Sequence, residues 1–559
     1  MDNYAIADNF SLLAKLMDIH GENSFKTKSY SSAAFTIEKL PADLSTLPHD
    51  KIFTIKGIGE TIGKKIIEQL ETGSLALLDE YLGKTPAGIL EMLSIKGLGP
   101  KKIATVWNDL EVESLGELLY ACYENRLLLY KGFGEKTQQN VKEAIEFYLS
   151  NKGSYLYAQV SGYAETIHEK LVSDFSNNTL LQTGDFRRHL EIISKLEWVT
   201  DIAPHILNAY FEQHSFTNIN SSENQASYKG AENVELLFHF AESSALYLKQ
   251  FITSCDETFL TEWIQQDLFI KDKTYPSEES IFEDAGIDVI PAWRRETAGI
   301  IEVAREHRLP DLIEEKDITS IIHSHSKWSD GGNTIEEMAK AAIDKGLQFL
   351  VISDHSKTAF YANGLTEERL VAQYLEIDEL NKKFAPFKIF KSIESDILND
   401  GNLDYAPEVL DTFDIVIASV HSNLKMSEEK AMMRLLKAIE NPYTSILGHM
   451  TGRLLLSRNG YPVDHQKIIE ACAANNVVIE LNAHPRRLDI DWRWIHYALE
   501  KEVLISIDPD AHEVGGFNDV KYGVLAAQKA GLTKTQNLSS FSLAEFEAFV
   551  AKQKSKRSR

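Results

Sequence analysis

Cysteine is almost missing from this chain: Cys122, Cys255 and Cys472 are scattered, with no paired spacing. That excludes a disulfide framework and a thiolate zinc site, and it fits a reducing compartment. Nor is there an apolar run of about 18 residues, the length a membrane-spanning helix needs, so no membrane partner is expected. The opening MDNYAIADNFSLLAKLMDIHG lacks the basic-then-apolar order of a secretory signal; it reads as a helix and points to the cytoplasm. Positive charge is scarce too: 58 Lys and Arg against 83 Asp and Glu leave a formal net charge of −25. Such a protein does not grip DNA by bulk electrostatics, although local phosphate-binding devices and cation-collecting sites remain open to it. The terminal KQKSKRSR is the basic exception and reads as a solvated tail or a loose nucleic-acid contact.

What is present is a chain of 559 residues, too long for one ordinary core, so roughly three to five domains are expected. Residues 1–150 are helical by pattern. From 151 to about 300 the pattern is mixed, with candidate strands in EWVTDI and ENVELLFHF. After Asp317 short β-branched runs alternate with amphipathic helices, the mark of repeated βα units around a parallel sheet. The runs are TSIIHSH, LQFLVISDH, FKIFKSIESD, FDIVIASVH, TSILGH, NVVIELNAH and EVLISIDPDAH. Seven units in about 240 residues suit a barrel better than an open sheet.

Nearly every run ends in a histidine or a carboxylate, and in a parallel barrel those ends converge on one rim. His323 and His325, two apart, lie on one face of an extended segment. Asp330 follows in HSHSKWSDG; His355, Glu394, His421 and His449 end the next runs, and Asp510 and His512 the last. Imidazole and carboxylate without sulfur suit Zn, Mn or Fe. These ligands are too many for one ion, so a cluster of two or three divalent ions bridged by Glu394 is expected, a device for phosphoester hydrolysis. Glu394 and Asp510 are the central catalytic candidates. Arg453 in HMTGR and Lys357 after ISDH sit where a cation could clamp substrate phosphate, with Arg487 a weaker candidate.

HSHSKWSDG, ISDHSK, IESDI, ASVHS, LGHMTGR and DPDAH resemble the motifs of the polymerase and histidinol phosphatase (PHP) domain, in order across about 318–545. The resemblance implies a distorted (β/α)7 barrel with three metals. His323, His325, Glu394 and Asp510 would hold one ion, Glu394, His421 and His449 the second, and Asp330, His355 and His512 the third.

Three segments of the helical front end resemble one another: IKGIGETIGKKI, IKGLGPKKIATV and YKGFGEKTQQNV. Each carries Lys-Gly-apolar-Gly before a helix: Lys56, Gly57 and Gly59; Lys96, Gly97 and Gly99; Lys131, Gly132 and Gly134. They resemble helix-hairpin-helix motifs, which bind the DNA backbone through glycine turns and helix N-termini. With FKTKSYSSAAFTIEKL, their order resembles the 8-kDa and fingers regions of family X DNA polymerases, whose bacterial members carry a C-terminal PHP domain. Lys65 falls where some relatives place a Schiff-base lysine; a solvated helix lysine is the simpler reading.

The resemblance implies a multidomain chain: an 8-kDa-like helical domain at 1–82, a fingers-like domain at 83–150, an α+β nucleotidyltransferase-like palm at 151–245, a thumb-like connector at 246–317, and the PHP domain at 318–559. The palm departs from the family. In TGDFRRHLEIISKLEWVTDI, Gly184, Arg187, Arg188 and Glu191 persist, but Asp185 replaces a serine. The three catalytic aspartate positions fall at Lys195, Glu197 and Glu235, and a lysine there deletes a metal ligand and adds a positive charge. The expectation is a monomeric, metal-dependent DNA phosphoesterase acting on gapped, nicked or 3′-recessed DNA as a 3′–5′ exonuclease or 3′-end processor, its polymerase activity lost. Alternatives are an active polymerase/exonuclease of base excision repair and a small-molecule phosphatase with vestigial DNA modules.

Overall fold

A computed structural model describes residues 3–557, apart from 39, 41–42, 151–152 and 270–272. The chain forms two compact units, Met1–Tyr148 and Leu149–Arg559. Among the described residues no helix is long and apolar enough to cross a membrane.

The first unit is all-helical. Its three Lys-Gly-apolar-Gly segments adopt one conformation: the apolar N–H of Ile58, Leu98 and Phe133 closes a turn onto the carbonyl of Ile55, Ile95 and Tyr130. Gly57, Gly97 and Gly132 have φ of 94°, 95° and 98°, a left-handed backbone that only glycine adopts without strain. The apolar residue is buried each time while the lysine and both glycines are exposed. Helices Glu60–Thr72, Pro100–Asn108 and Glu135–Ser150 begin directly after Gly59, Gly99 and Gly134.

In the second unit, strands β1 (Leu180–Thr183), β2 (Lys195–Thr200), β3 (Thr217–Ser221), β4 (Gln225–Lys229) and β5 (Glu235–Phe240) form a mixed sheet of order β1-β2-β5-β4-β3. Its core is aromatic, with Trp198, Phe211, Tyr228 and Phe238 packed together. Arg187 beside it makes a two-pronged ion pair with Glu278, at 2.7 and 2.6 Å, and buried Arg295 pairs with the same carboxylate. Burial opposes ionisation of Glu278, but the two guanidinium groups outweigh it and hold its pKa to about 2. The stabilisation is therefore complete above the ordinary carboxylate range and is lost as pH falls from about 4.5 toward 2. We expect Glu278→Gln to remove on the order of 2–3 kcal/mol of stability at pH 7 and to flatten that acid limb, as read by chemical denaturation at a series of pH values.

Seven parallel strands follow: β6 (Ser320–Ile321), β7 (Phe349–Ile352), β8 (Lys388–Asp396), β9 (Ile415–Ser419), β10 (Ile446–Leu447), β11 (Val478–Asn482) and β12 (Ile505–Asp508), hydrogen-bonded in sequence order. His325 N–H donates to Ala511 O at 2.8 Å, bringing the segment after β6 back against the one after β12 and nearly closing the barrel. Alternate residues point inward: Phe349, Val351, Phe390, Ile415, Ile417 and Val478 fill the interior. Helix Leu543–Lys556 plugs it from the N-terminal mouth, its Phe546 ring stacking 4.4 Å from Phe349 and lying 4.8 Å from Phe390. The basic tail is thus not a free solvated arm as far as Arg557. Lys554 pairs with Asp414, Lys556 donates to the carbonyls of Thr444 and Asn475, and Arg557 donates to Phe413 O. Those groups precede barrel strands, so the basic residues tie the plug in place; Ser558 and Arg559 lie outside the described residues.

Candidate metal centre

With the N-terminal mouth plugged, the C-terminal mouth is where side chains can converge. His323 and His325 follow β6, His355 follows β7, Glu394 lies on β8, His421 follows β9, His449 follows β10, and Asp510 and His512 follow β12. Asp330 is brought back by the 326–332 turn, where Gly331 N–H donates to Ser326 O and Gly332 N–H to His512 O. A Cβ on Gly331 would stand 2.3 Å from His325 O, so only glycine permits this approach. Asp510 has φ of 53°, a left-handed conformation that Asp tolerates better than most residues. Apart from His421, which is partly exposed, these side chains are buried.

Glu394 stands at the centre. Its Oε1 lies 3.0 Å from His421 Nε2, 3.0 Å from His449 Nε2 and 3.4 Å from His323 Nε2. Its Oε2 lies 3.0 Å from His355 Nδ1 and 3.6 Å from His325 Nε2. Three sets can each bring their ligand atoms within 4.8 Å of one another: His325, Asp330, His355 and His512; His323, His325 and Asp510; His355, Glu394 and His421. His355 and His325 are therefore shared between sets that the family pattern keeps apart.

The donors fit a cluster of cations. They are nitrogen and oxygen only, and buried atoms facing the cluster, His323 Nε2, His325 Nδ1 and Glu394 Oε2, lack a hydrogen-bond partner, a costly state without a cation. Burial opposes the charge on Glu394, Asp330 and Asp510, but the surrounding imidazoles outweigh it and hold all three carboxyls well below their usual range. Burial, aided by neighbouring imidazoles or Arg487, pulls His325 down to about 4 and His449 to about 3, keeping both neutral and able to ligate. His421 is pushed down by burial, yet Glu394 and Asp396 lift it to about 9.

Two outer carboxylates went unread in the sequence. Glu480 Oε1 accepts from His323 Nδ1 at 2.5 Å, and its Oε2 accepts the His449 backbone N–H at 2.6 Å. Asp396 accepts from His421 Nδ1. Each fixes a tautomer that turns Nε2 toward Glu394. Asp396 stands two residues beyond Glu394 on the same strand face, and Glu480 is a lone acid inside the β-branched run VVIEL; either pattern could have marked them. Glu480→Gln keeps one acceptor for two donors and would set its amide N–H2 against either the His449 N–H or the His323 Nδ1–H. We expect roughly 10–100-fold weaker metal retention, measured as metal content after dialysis against graded chelator; unchanged retention would remove Glu480 from this role.

Arg453 is placed differently from the phosphate clamp expected of it. Its guanidinium donates to Asp491 and to the carbonyls of Arg487 and Leu488, so it braces the 487–491 loop. Lys357 pairs with Glu367 at 2.7 Å and lies over the Tyr405 ring. The arginine that approaches the cluster is Arg487, buried, with Nε 3.8 Å from Asp510 Oδ2. Lys65 is held by Glu68 at 2.7 Å on its own helix.

In the mixed sheet Lys195 and Glu235 are paired in register across β2 and β5. Lys195 Nζ lies 3.2 Å from Glu197 Oε2, which also meets His239 Nε2 at 2.9 Å. A Cβ on Gly184 would meet Glu197 Oε1 at 2.4 Å, so this carboxylate lies directly on the glycine. Arg188 is paired with Glu296 at 2.6 Å. Among the described residues, every set of three possible ligands lies in the barrel and none in this sheet.

Sequence comparison fits both ends of this architecture. Residues 1–75 match the helix-hairpin-helix domain, residues 89–146 the SAM-like helix-hairpin-helix tandem, and residues 322–484 the PHP domain. The class is thus a helix-hairpin-helix protein with a PHP barrel. A full-length relative, the DNA polymerase/3'-5' exonuclease PolX of Bacillus subtilis, is 33% identical over 563 residues, covering 96% of this chain and 97% of its own. The chain belongs to the bacterial family X DNA polymerases with a C-terminal PHP domain. Shorter matches include a probable phosphatase of Caldanaerobacter subterraneus, 30% identical over 29% of this chain and 60% of that protein. Another, from a Thermoanaerobacter species, is 28% identical over 38% of this chain and 88% of its own.

Proposed function

We propose that the chain is a metal-dependent DNA phosphodiesterase that trims 3′ ends in repair and no longer polymerises. The observation that carries this reading is Glu394, whose two oxygens are approached by five imidazoles at the open mouth of the barrel. Two or three divalent ions of the Mn, Zn or Fe type, held by Glu394 and the eight other candidate ligands around it, would polarise the phosphoryl oxygens and lower the pKa of a water that attacks phosphorus. Glu394 joins the two sides of the cluster. Glu480 and Asp396 keep the His323 and His421 rings turned toward it, and Asn482 holds Asp510 by a 3.1 Å hydrogen bond. The exposed glycine turns of the helical unit, with Lys56, Lys96 and Lys131, serve as backbone-phosphate contacts on DNA.

Loss of polymerisation follows from charge. Two-metal nucleotidyl transfer needs converging carboxylates, whereas Lys195 clasps Glu197 and stands beside Glu235. The retained Arg187 and Arg188 are neutralised by Glu278 and Glu296, and the Glu197 carboxylate lies against the Gly184 turn. The family-based divisions near 82, 150, 245 and 317 belong to the same reading.

The second reading, a small-molecule phosphatase, is favoured by the probable phosphatases among the shorter matches. Hydrolysis of a 5′-labelled oligonucleotide and of a small phosphomonoester by the Mn-loaded protein separates them. We expect stepwise shortening from the 3′ end with kcat/KM at least about tenfold above the monoester. Turnover of the monoester alone would establish the phosphatase.

A further inference from the structure

Beside the metal centre, the loop from His355 to Leu365 holds the most exposed large apolar side chain among the described residues: Phe360, 81% exposed. The loop is not slack. Leu365 N–H donates to His355 O and Gly364 N–H to Ala359 O, and a Cβ on Gly364 would stand 1.9 Å from Ser356 O. Thr358 is pinned to Asp404 by N–H and hydroxyl bonds of 2.7 and 2.9 Å, and to Asp396 at 2.9 Å. Asn363 reaches Trp328 O, and Arg369 donates to the carbonyls of Asn363, Gly364 and Trp328, tying the loop to the turn that carries Asp330. The braced loop holds this phenyl ring largely in water, an apolar exposure that a stacking ligand would relieve. Its position is informative: Tyr361 lies 6.4 Å from the His355 ring, and Phe360 lies 6.1 Å from Tyr361 at 74°. Phe360 is therefore two ring contacts from His355, on the side of the loop that borders the cluster.

We propose that Phe360 is the platform on which the nucleobase of the 3′-terminal nucleotide stacks while its phosphodiester enters the metal centre. This rests on the 3′-trimming reading. Every base presents a π-face, so one aromatic ring takes all four with little sequence preference, as trimming of arbitrary ends requires. A fixed ring also orders the terminal nucleotide at less entropic cost than a mobile one would. No backbone-phosphate contact supplies this, because it leaves the base undirected.

The test compares cleavage of oligonucleotides ending in thymidine with identical ones ending in an abasic tetrahydrofuran residue, by Mn-loaded wild type, Phe360→Ala and Phe360→Trp. For wild type, removing the terminal base should lower kcat/KM roughly tenfold, mainly through KM. In Phe360→Ala the same removal should cost less than about twofold, because the partner is already gone, and Phe360→Trp should restore the wild-type dependence. Full dependence on the base in Phe360→Ala, or none in wild type, overturns the platform. If wild type cleaves neither oligonucleotide but still hydrolyses a small phosphomonoester, the trimming reading itself fails, and the platform with it. Phe360 is solvent-exposed and outside both core clusters of the barrel, so its replacement should leave the fold intact.

Discussion

Replacing Glu394 with glutamine is expected to abolish hydrolysis of any phosphoester by this protein. The carboxylate is buried, and its two oxygens face His323, His421 and His449 on one side and His325 and His355 on the other. Glutamine keeps the shape but puts N–H2 donors where a cation or a protonated imidazole has to be met, and it removes the central negative charge. Losing an outer partner of a metal ligand costs roughly 10–100-fold; losing the shared inner one should exceed a hundredfold in kcat and lower the bound-metal content. The helical unit does not depend on this carboxylate, so affinity for nicked duplex should stay within about twofold. A variant retaining more than a tenth of wild-type turnover would show that Glu394 does not hold the reacting centre together.

The second large effect concerns the plug. Phe546→Ala removes a fully buried ring stacked on Phe349 and set edge-on to Phe390 inside the barrel. Phe-to-Ala changes in such packing cost about 3–5 kcal/mol through lost transfer energy and the cavity left behind. Because the protein has more than one unit, a single melting temperature would mix transitions; the measurement is the denaturant midpoint of the transition that also abolishes hydrolysis. That midpoint should fall sharply while activity at low temperature stays within a few-fold, since the ligands lie at the opposite mouth. A shift worth less than about 1 kcal/mol would mean the terminal helix packs on the barrel without closing it.

The barrel was legible because its grammar is local. Each β-branched run announces a strand, and the polar residue at its end lies where parallel strands deliver side chains. The helix-hairpin-helix turns were legible for a similar reason: glycine is the only residue at ease at the φ of Gly57, Gly97 and Gly132. What escaped depends on partners remote in sequence. Arg453 beside a glycine reads as a phosphate clamp, whereas Asp491 and two carbonyls from the same loop each engage one of its guanidinium nitrogens. Lys556 and Arg557 read as a solvated tail because the carbonyls that hold them come from between barrel units. Lys195 is visible in the sequence as a departure from the family's metal-ligand pattern; that Arg187 and Arg188, intact in the sequence, are already paired with Glu278 and Glu296 is not.

The proposed reading is of a chain with one reacting centre, in the barrel. The most direct measurement incubates the purified, Mn-loaded protein with a 3′-recessed duplex labelled at the 5′ end of the shorter strand, with and without the four deoxynucleoside triphosphates. Shortening of the labelled strand that triphosphates do not reverse is the predicted result; extension beyond the original length would contradict it and place a second working centre in the mixed sheet.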